Sequence, residues 1–407
     1  LITELDRQTT PDGVHTEQSM FYHQAVTTHF LKFFLGARHF GDEIWPAMRE
    51  RFEAMLDYIH ETAMPDGTHP VVGDGESLTT ADREHWEARA LLASRWALFD
   101  KPVDAALVDR IDDSSIWLLA CSRTDVEATE TPRESRVFRD SGLAVFRDRD
   151  AYVFIDAAPF SDPEFPHHGH ADALSFVACG PAGQLLIDPG GYGYYDDKFR
   201  RFFRSTAAHN TVEIDGENQS QLFGVLGYGR LASTVVEDAH CSEEFDYLQA
   251  THDGYAPVSH TRTLFLCKRP RKTLIILDRL TGPGSHQCVS RFHVAPGVTI
   301  NSQEKQLLMT KSSGVFHFAI AASTDLDQRV VRGRSDSEVQ GWVSPETREV
   351  TAADTLELKC DMSGDCTLLV AIGLENDVPV STKLDAKSRA TGSVAGEVIS
   401  LTREKGA

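Results

Sequence analysis

Two imidazoles one residue apart, His168-Gly169-His170, followed by Asp188 and His209, are the residues of this chain best suited to chemistry. Imidazole nitrogen and carboxylate oxygen are common ligands of zinc, a borderline-soft cation that accepts both donor types. His170, Asp188 and His209 therefore form a candidate metal trio, with His168 left for a neighbouring cleft. Around them lies the densest run of reactive side chains in the chain: Tyr192, Tyr194, Tyr195, Arg200, Arg201, Arg204 and Asn210. An H-x-H pair is a weak signal by itself. His29, His39, His60, His85 and His317 read as ordinary surface or core groups.

Elements must bring these residues together. Residues two apart on a strand face the same way, so a strand through 168–170 would present both imidazoles to one surface. Asp188 follows the apolar run Leu185-Leu186-Ile187 and precedes Pro189-Gly190, the signature of a strand end. His209 precedes Asn210-Thr211-Val212, a strand start. From 126 to 407 short alternating runs recur, among them 143–146, 152–155, 211–214, 262–266, 273–277, 315–319 and 367–371, with Asp215-Gly216 as a hairpin signal. This region is expected to be a large antiparallel β-sandwich. The tail from Asn376 is polar and weakly patterned.

Residues 1–125 read differently. Glu17 to Phe34 predicts a helix, and Trp45, Met48, Phe52, Met55, Leu56 and Ile59 follow the three-four rhythm of a second. Thr80 would cap a third helix carrying Trp86, Ala90, Leu91 and Leu98. Pro102 would open a fourth through Leu107, Ile111 and Leu118. The loop Pro65 to Leu78, with Gly67, Gly73 and Gly75, is of the long glycine-rich kind that often lines a site. Thr124 to Glu134 reads as a linker. The expected class is thus α+β and multidomain, helical over 1–125 and antiparallel β over 126–407.

A formal charge of −21 argues against a nucleic-acid partner, because phosphate backbones need clustered Lys and Arg. Against that background Lys198, Arg200, Arg201 and Arg204 stand out as a candidate anion site. The seven cysteines are scattered without C-x-x-C, which excludes a dense disulfide scaffold and leaves room for a single bridge. No apolar run is long enough for a transmembrane helix, so no membrane insertion is expected. No leader is visible at Leu1, and the chain reads as trimmed at this end.

Several blocks, in order, resemble the heparinase II/III-like polysaccharide lyases. They are Gly169-His170-Ala171-Asp172-Ala173-Leu174-Ser175-Phe176, Leu186-Ile187-Asp188-Pro189-Gly190, and Phe203-Arg204-Ser205-Thr206-Ala207-Ala208-His209-Asn210-Thr211-Val212. The segment from Asp12 to His23 is similar to the family's tyrosine-bearing stretch, and the runs 260–264 and 277–280 fit its sandwich. The resemblance implies an incomplete (α/α) toroid before the β-sandwich, with the cleft between them. It implies Tyr22 and His168 as catalytic residues. It implies His170, Asp188 and His209 as ligands of a structural metal, usually zinc, with another divalent cation as the alternative. The family's carboxylate-neutralising asparagine would lie upstream of Leu1, and four helices fall short of a full toroid, so truncation is expected.

The implied reaction is β-elimination on a uronate polymer, with glycosaminoglycan-like or related anionic polysaccharides as substrates. A base removes the C5 proton and an acid protonates O4. Tyr22 is the expected acid, and also the base where both events occur on one face of the sugar. His168 is the expected base for the opposite face. His23, Arg201 and Arg204 are candidates for gripping the uronate carboxylate, and Tyr195 for stacking a sugar ring. Two other readings stay open: a non-catalytic glycan-binding relative, and a metal-dependent hydrolase. Because polymers do not cross membranes, a periplasmic or secreted location is expected. An oligomer is compatible with the sequence.

Overall fold

The computed structural model describes residues 2–40, 44–75, 85–108, 128–129, 133–160, 167–303, 306–384, 390–394 and 397–401. The helices are α1 (Ile2–Gln8), α2 (Met20–Phe40), α3 (Ile44–Thr62), α4 (His85–Phe99) and the short α5 (Ala105–Val108). The expected rhythm holds in α3: Met48, Phe52, Met55, Leu56 and Ile59 are buried with Phe30, Leu31 and Phe34 of α2 and Leu91, Leu92, Trp96 and Phe99 of α4. The helix expected over Glu17–Phe34 is α2, which starts later, at Met20, and it is preceded by α1, which the apolar pattern did not predict. Gln18 takes a left-handed backbone (φ 55), and the Ser19 hydroxyl then accepts a hydrogen bond from the Tyr22 N–H at 3.2 Å. That cap satisfies an orphan donor and begins the helix at Met20, so Tyr22 lies in its first turn. The expected Thr80 cap, the Ile111 and Leu118 turns, the 125/126 boundary and most of the 124–134 linker lie outside the described residues.

Beyond residue 133 the chain is predominantly antiparallel sheet. A five-stranded meander runs through Arg136–Phe138, Leu143–Asp148, Ala151–Asp156, Ser175–Gly180 and Gly183–Leu186. An eight-stranded and a four-stranded sheet follow. One apolar core draws residues from all three: Phe146, Val153, Ile155 and Phe176 from the first, Leu248, Leu264, Ile276 and Val370 from the second, and Phe292, Leu356 and Leu358 from the third. Period-two alternation gives the strand Ala151–Asp156 two buried faces. Val153 and Ile155 enter that shared core, while Tyr152 and Phe154 turn to the helical half and pack with Val14, Met20, Tyr58 and Met64.

Polar contacts fix the same seam. The Tyr152 hydroxyl donates to Thr62 O at 2.8 Å, and the Arg147 guanidinium donates to Ala63 O at 2.7 Å. Asp12 accepts from the Asp140 and Ser141 N–H groups at 2.9 and 3.1 Å.

Two expectations need correction. The segment carrying His168 and His170 is irregular chain between strands, not a strand. A Cβ at Gly169 would stand 3.2 Å from the Phe160 ring, so this chain is held close against an aromatic neighbour. The tail is not unpatterned: Val380–Leu384, Ala390–Val394 and Glu397–Leu401 form a three-stranded sheet, with Ala390, Val380 and Leu384 packed on Ile275, Leu277 and Leu369. The basic run is also structured, as the helix α6 (Lys198–Phe203). The Asp215-Gly216 signal holds: both residues have positive φ (56 and 71), and Ile214 bridges Glu217 across the turn.

Candidate active site

The carboxylate of Asp74 is the hub of the site, and it comes from the glycine-rich loop of the helical half. Its side chain is 2% exposed. It accepts from His170 Nε2 at 2.9 Å, from His168 Nδ1 at 3.3 Å, and from both terminal nitrogens of Arg200, Nη2 at 2.8 Å. Burial alone would push this carboxyl up; the hydrogen bonds from His168, His170 and Arg200 outweigh it and hold Asp74 far below the usual carboxylate range. The loop reaches so deep because of Gly73. Its φ is +66, and a Cβ there would meet His168 O at 2.6 Å and Gln18 O at 2.7 Å. The Asp74 N–H also donates to His168 O at 2.7 Å.

Arg200 arrives from α6. Asp197 caps that helix, accepting from the N–H groups of Phe199 and Arg200 at 2.8 and 3.0 Å. Arg200 and Arg204 are four residues apart and share the inward face. Arg200 is fully buried between Asp74, Gly191 O and Val225 O.

Tyr22 and His168 meet across the two halves. Their rings stack, with centroids 3.7 Å apart and planes inclined by 17°. The Tyr22 hydroxyl lies 2.6 Å from that of Tyr194, which in turn lies 3.1 Å from His168 Nδ1. A carboxylate only accepts, so the contact with Asp74 requires a proton on His168 Nδ1. Nδ1–H then also points at the Tyr194 oxygen, the Tyr194 proton is free to go to Tyr22, and the Tyr22 proton is left for whatever enters the cavity. Burial raises the Tyr22 pKa, with the Tyr194 hydrogen bond pulling the other way, so the phenol is protonated at neutral pH. Phe21, Tyr22, Asp74, Gly75, Gly193, Tyr194, Tyr195 and Thr347 line a cavity of about 340 Å³.

Behind Asp74, His170 and His209 approach with ring centroids 5.3 Å apart. His170 Nδ1 and His209 Nε2 are buried and have no hydrogen-bond partner among the described residues. One ligand atom from each, together with a carboxylate oxygen of Asp172, lie within 4.8 Å of one another. Asp188, the carboxylate expected in this trio, instead accepts from His209 Nδ1 at 2.7 Å and from the Gly190 N–H at 3.0 Å. Burial raises the carboxyl groups of Asp172 and Asp156, Asp188 raises both further, and together these outweigh the downward pull of His209 on each. Two orphaned nitrogens beside a carboxylate oxygen fit a small divalent cation.

The expected substrate contacts divide. Tyr195 lines the cavity, with the Arg348 guanidinium 4.4 Å over its ring. His23 is buried; its Nε2–H donates to Met55 O at 3.1 Å and its Nδ1 accepts from the His15 N–H, so it braces helices and has no free nitrogen for a carboxylate. Arg204 is also buried, donating to Gly224 O at 2.9 Å and to Gly227 O, over the Tyr228 ring. Arg201 is exposed and paired with Asp196 at 2.8 Å. Asp74, Asp172 and Arg348 escaped sequence reasoning, and Tyr194 was noted there only as one of several tyrosines. The available signal was the Gly73-Asp74-Gly75 triplet, an acidic residue between two glycines in a loop of the site-lining kind.

A tyrosine from a helix and a histidine from the irregular chain between two strands, stacked beside one cavity and a His-rich buried pocket, define a class that the comparisons specify. The sequence model for "Heparinase II/III-like, C-terminal" matches residues 130–372, and that for "Heparinase II/III N-terminus" matches residues 1–93. The chain belongs to the heparinase II/III-like family. Its fold is similar to that of the heparan sulfate lyase HepC from Pedobacter heparinus (TM-score 0.75, 16% identity, 98% of this chain and 60% of that chain). It is similar too to a heparinase III gene product (TM-score 0.74, 17% identity, 98% and 60%) and to a further heparinase III crystal structure (TM-score 0.71, 14% identity, 98% and 61%). At these identities the likeness is one of fold, and the chain spans about 60% of the length of these structures. No curated protein matches it. Among the described residues, no helix is long and apolar enough to cross a membrane.

Proposed function

We propose that this protein is a polysaccharide lyase that cleaves uronate-containing, glycosaminoglycan-like polymers by β-elimination. The observation that carries the reading is the Tyr22–His168 stack, wired through Tyr194, with Tyr22 and Tyr194 lining the cavity. Tyr22, protonated and hydrogen-bonded at its oxygen, is the acid for O4. His168, with Nδ1–H turned to Asp74, leaves Nε2 as the base for the C5 proton. Because the two rings stack, both groups approach from one wall. The reading therefore gives His168 the C5 proton of uronates whose C5–H and C4–O bonds share a face, as in D-glucuronate, where the resemblance implied Tyr22 as base, and it favours these over their C5 epimers. Arg348, held over Tyr195, is the candidate cation for the polymer's anionic groups.

His170 Nδ1, His209 Nε2 and Asp172 would hold a zinc ion, with Asp188 fixing the His209 ring from behind. When bound, the ion supplies positive charge that locks both imidazoles and neutralises the buried carboxyls. His170 then keeps its Nε2 proton for Asp74, and Asp74 keeps His168 oriented. The same proposal takes the helices as part of an (α/α) toroid, the sheets as a β-sandwich with the division near residue 125, and the location as periplasmic or secreted.

The test is a panel of uronate polymers followed by ultraviolet absorbance, since elimination leaves a conjugated C4–C5 double bond. New absorbance that disappears in Tyr22→Phe supports the lyase. Chain cleavage without absorbance would establish hydrolysis instead. Binding without cleavage, equal in wild type and Tyr22→Phe, would establish a glycan-binding relative.

A further inference from the structure

Far from the cavity, three thiols share a small apolar pocket. Cys288, Cys360 and Cys366 are buried with Val212, Ile214, Val258, Leu280 and Met362. Cys360 lies on the strand Asp354–Ser363 of the four-stranded sheet, and Cys366 opens the strand Cys366–Gly373 of the eight-stranded sheet. The two strands are joined by Gly364-Asp365, where Gly364 takes φ +87, and the chain doubles back so that the sulfurs of Cys360 and Cys366 are 3.6 Å apart. Cys288 sits directly across the ladder from Cys360. The Cys366 sulfur also has the Thr324 hydroxyl at 3.7 Å and the Ser323 side chain as polar neighbours.

We propose that Cys360 and Cys366 are a disulfide pair, oxidised by exchange with a small-molecule disulfide of the glutathione type, and that the bond staples the two sheets together. One thiolate attacks a sulfur of the external disulfide, forms a mixed disulfide and expels one external thiol. The second thiolate attacks the protein sulfur of that mixed disulfide and expels the other external thiol. The two protons leave with the expelled thiols; the protein loses two electrons and the reagent gains them.

A disulfide needs its sulfurs at about 2.0 Å, so the bond forms from the observed 3.6 Å as the two side chains turn toward one another. The Cys288 thiol first, and burial after it, push Cys360 up to about 11 against a downward pull from Cys366, and the Cys360 thiol with burial pushes Cys366 further still, so few thiolates exist in the folded protein. Exchange therefore belongs to folding, while the turn is open, and the finished bond is shielded afterwards. Nothing in this inference depends on the lyase reading.

The test refolds the full chain in a series of oxidised and reduced glutathione mixtures, quenches with acid, and alkylates in denaturant. Five of the seven cysteines should react before reduction and all seven after it, since a single bridge removes two. Cleavage ahead of Asp361 and Asp365 separates the two sulfurs along the chain, so the bridge must then join the fragment ending at Cys360 to the one beginning at Asp365. Cys288→Ser should keep the bridge. Reductant should lower the melting temperature of the wild type and leave that of Cys366→Ser unchanged. Seven reactive thiols in every mixture, or a bridge containing Cys288, would overturn the proposal.

Discussion

Among the described residues the Tyr22 hydroxyl has one hydrogen-bond partner, Tyr194, and its ring rests on His168. Removing that oxygen takes away the proposed acid while leaving the stack. Tyr22→Phe should therefore lower kcat by about 10²–10⁴-fold, the usual contribution of a positioned acid or base, with KM and melting temperature nearly unchanged. Steady-state kinetics beside a thermal melt check this; wild-type turnover in the variant would remove Tyr22 from the reaction. His170→Ala deletes one orphaned nitrogen of the proposed ion site. It should abolish bound zinc by elemental analysis and lower the melting temperature, and wild-type protein purified without any metal would refute the site. Tyr22, His168, His170 and His209 were legible as residues because aromatic and imidazole groups are uncommon and the family blocks flank them. Asp74 and Asp172 were not. Carboxylates are abundant in a chain of this charge, and only the fold shows which ones are buried against nitrogen.

Elements explain the arginines. Read as a basic cluster, Arg200, Arg201 and Arg204 suggested an anion grip. Once residues 198–203 are a helix, the four-residue spacing sends Arg200 and Arg204 inward and Arg201 out. Arg204 then satisfies the carbonyls of Gly224 and Gly227 in the hairpin Leu222–Phe223/Gly227–Tyr228, whose Tyr228 hydroxyl donates to Gly169 O. Arg204→Ala should leave those acceptors unpaired and cost about 2–4 kcal/mol, the scale for removing buried charge-assisted hydrogen bonds. Denaturant unfolding measures it. A change near zero would mean that water replaces the guanidinium. Gly73→Ala tests the loop by the same logic: its Cβ would collide with His168 O, so turnover should collapse together with about 1–3 kcal/mol of stability from strain at positive φ. Retained turnover would show that the loop tolerates displacement. The alternating runs read from the sequence all fall on strands for a related reason, since each has at least one apolar face; the mostly exposed strands Thr234–Cys241 and Leu326–Arg332 gave no such signal. Periodicity also missed the tail sheet, whose outer positions are polar.

At the scale of the molecule, many histidines are buried neutral. Burial lowers His15 and His69 to about 4 and His23 and His293 to about 3. Each folded pKa lies below the unfolded value near 6.5, so the unfolded chain takes up protons first as the medium acidifies. Their contribution is intact above about pH 6.5 and is lost below it, at about 1.4 kcal/mol per pH unit per histidine until the folded pKa is reached. The melting temperature should fall steadily from pH 7 to pH 5; a flat or rising profile would contradict the buried neutral state. Composition indicated two kinds of architecture but could not show how tightly they join, because the seam residues Val14, Tyr58, Tyr152 and Phe154 look like ordinary core.

The buried carboxylate at the centre of the site belongs to one half of the molecule, and the two imidazoles and guanidinium that surround it belong to the other. Split the chain between them, and the sheet half would keep three nitrogen-bearing groups crowded around an empty socket, while the helical half would carry a lone acid on an unsupported strap. Each fragment is the other's missing counter-ion. Co-expressed pieces should find one another and recover solubility together, and either piece alone should be prone to aggregate.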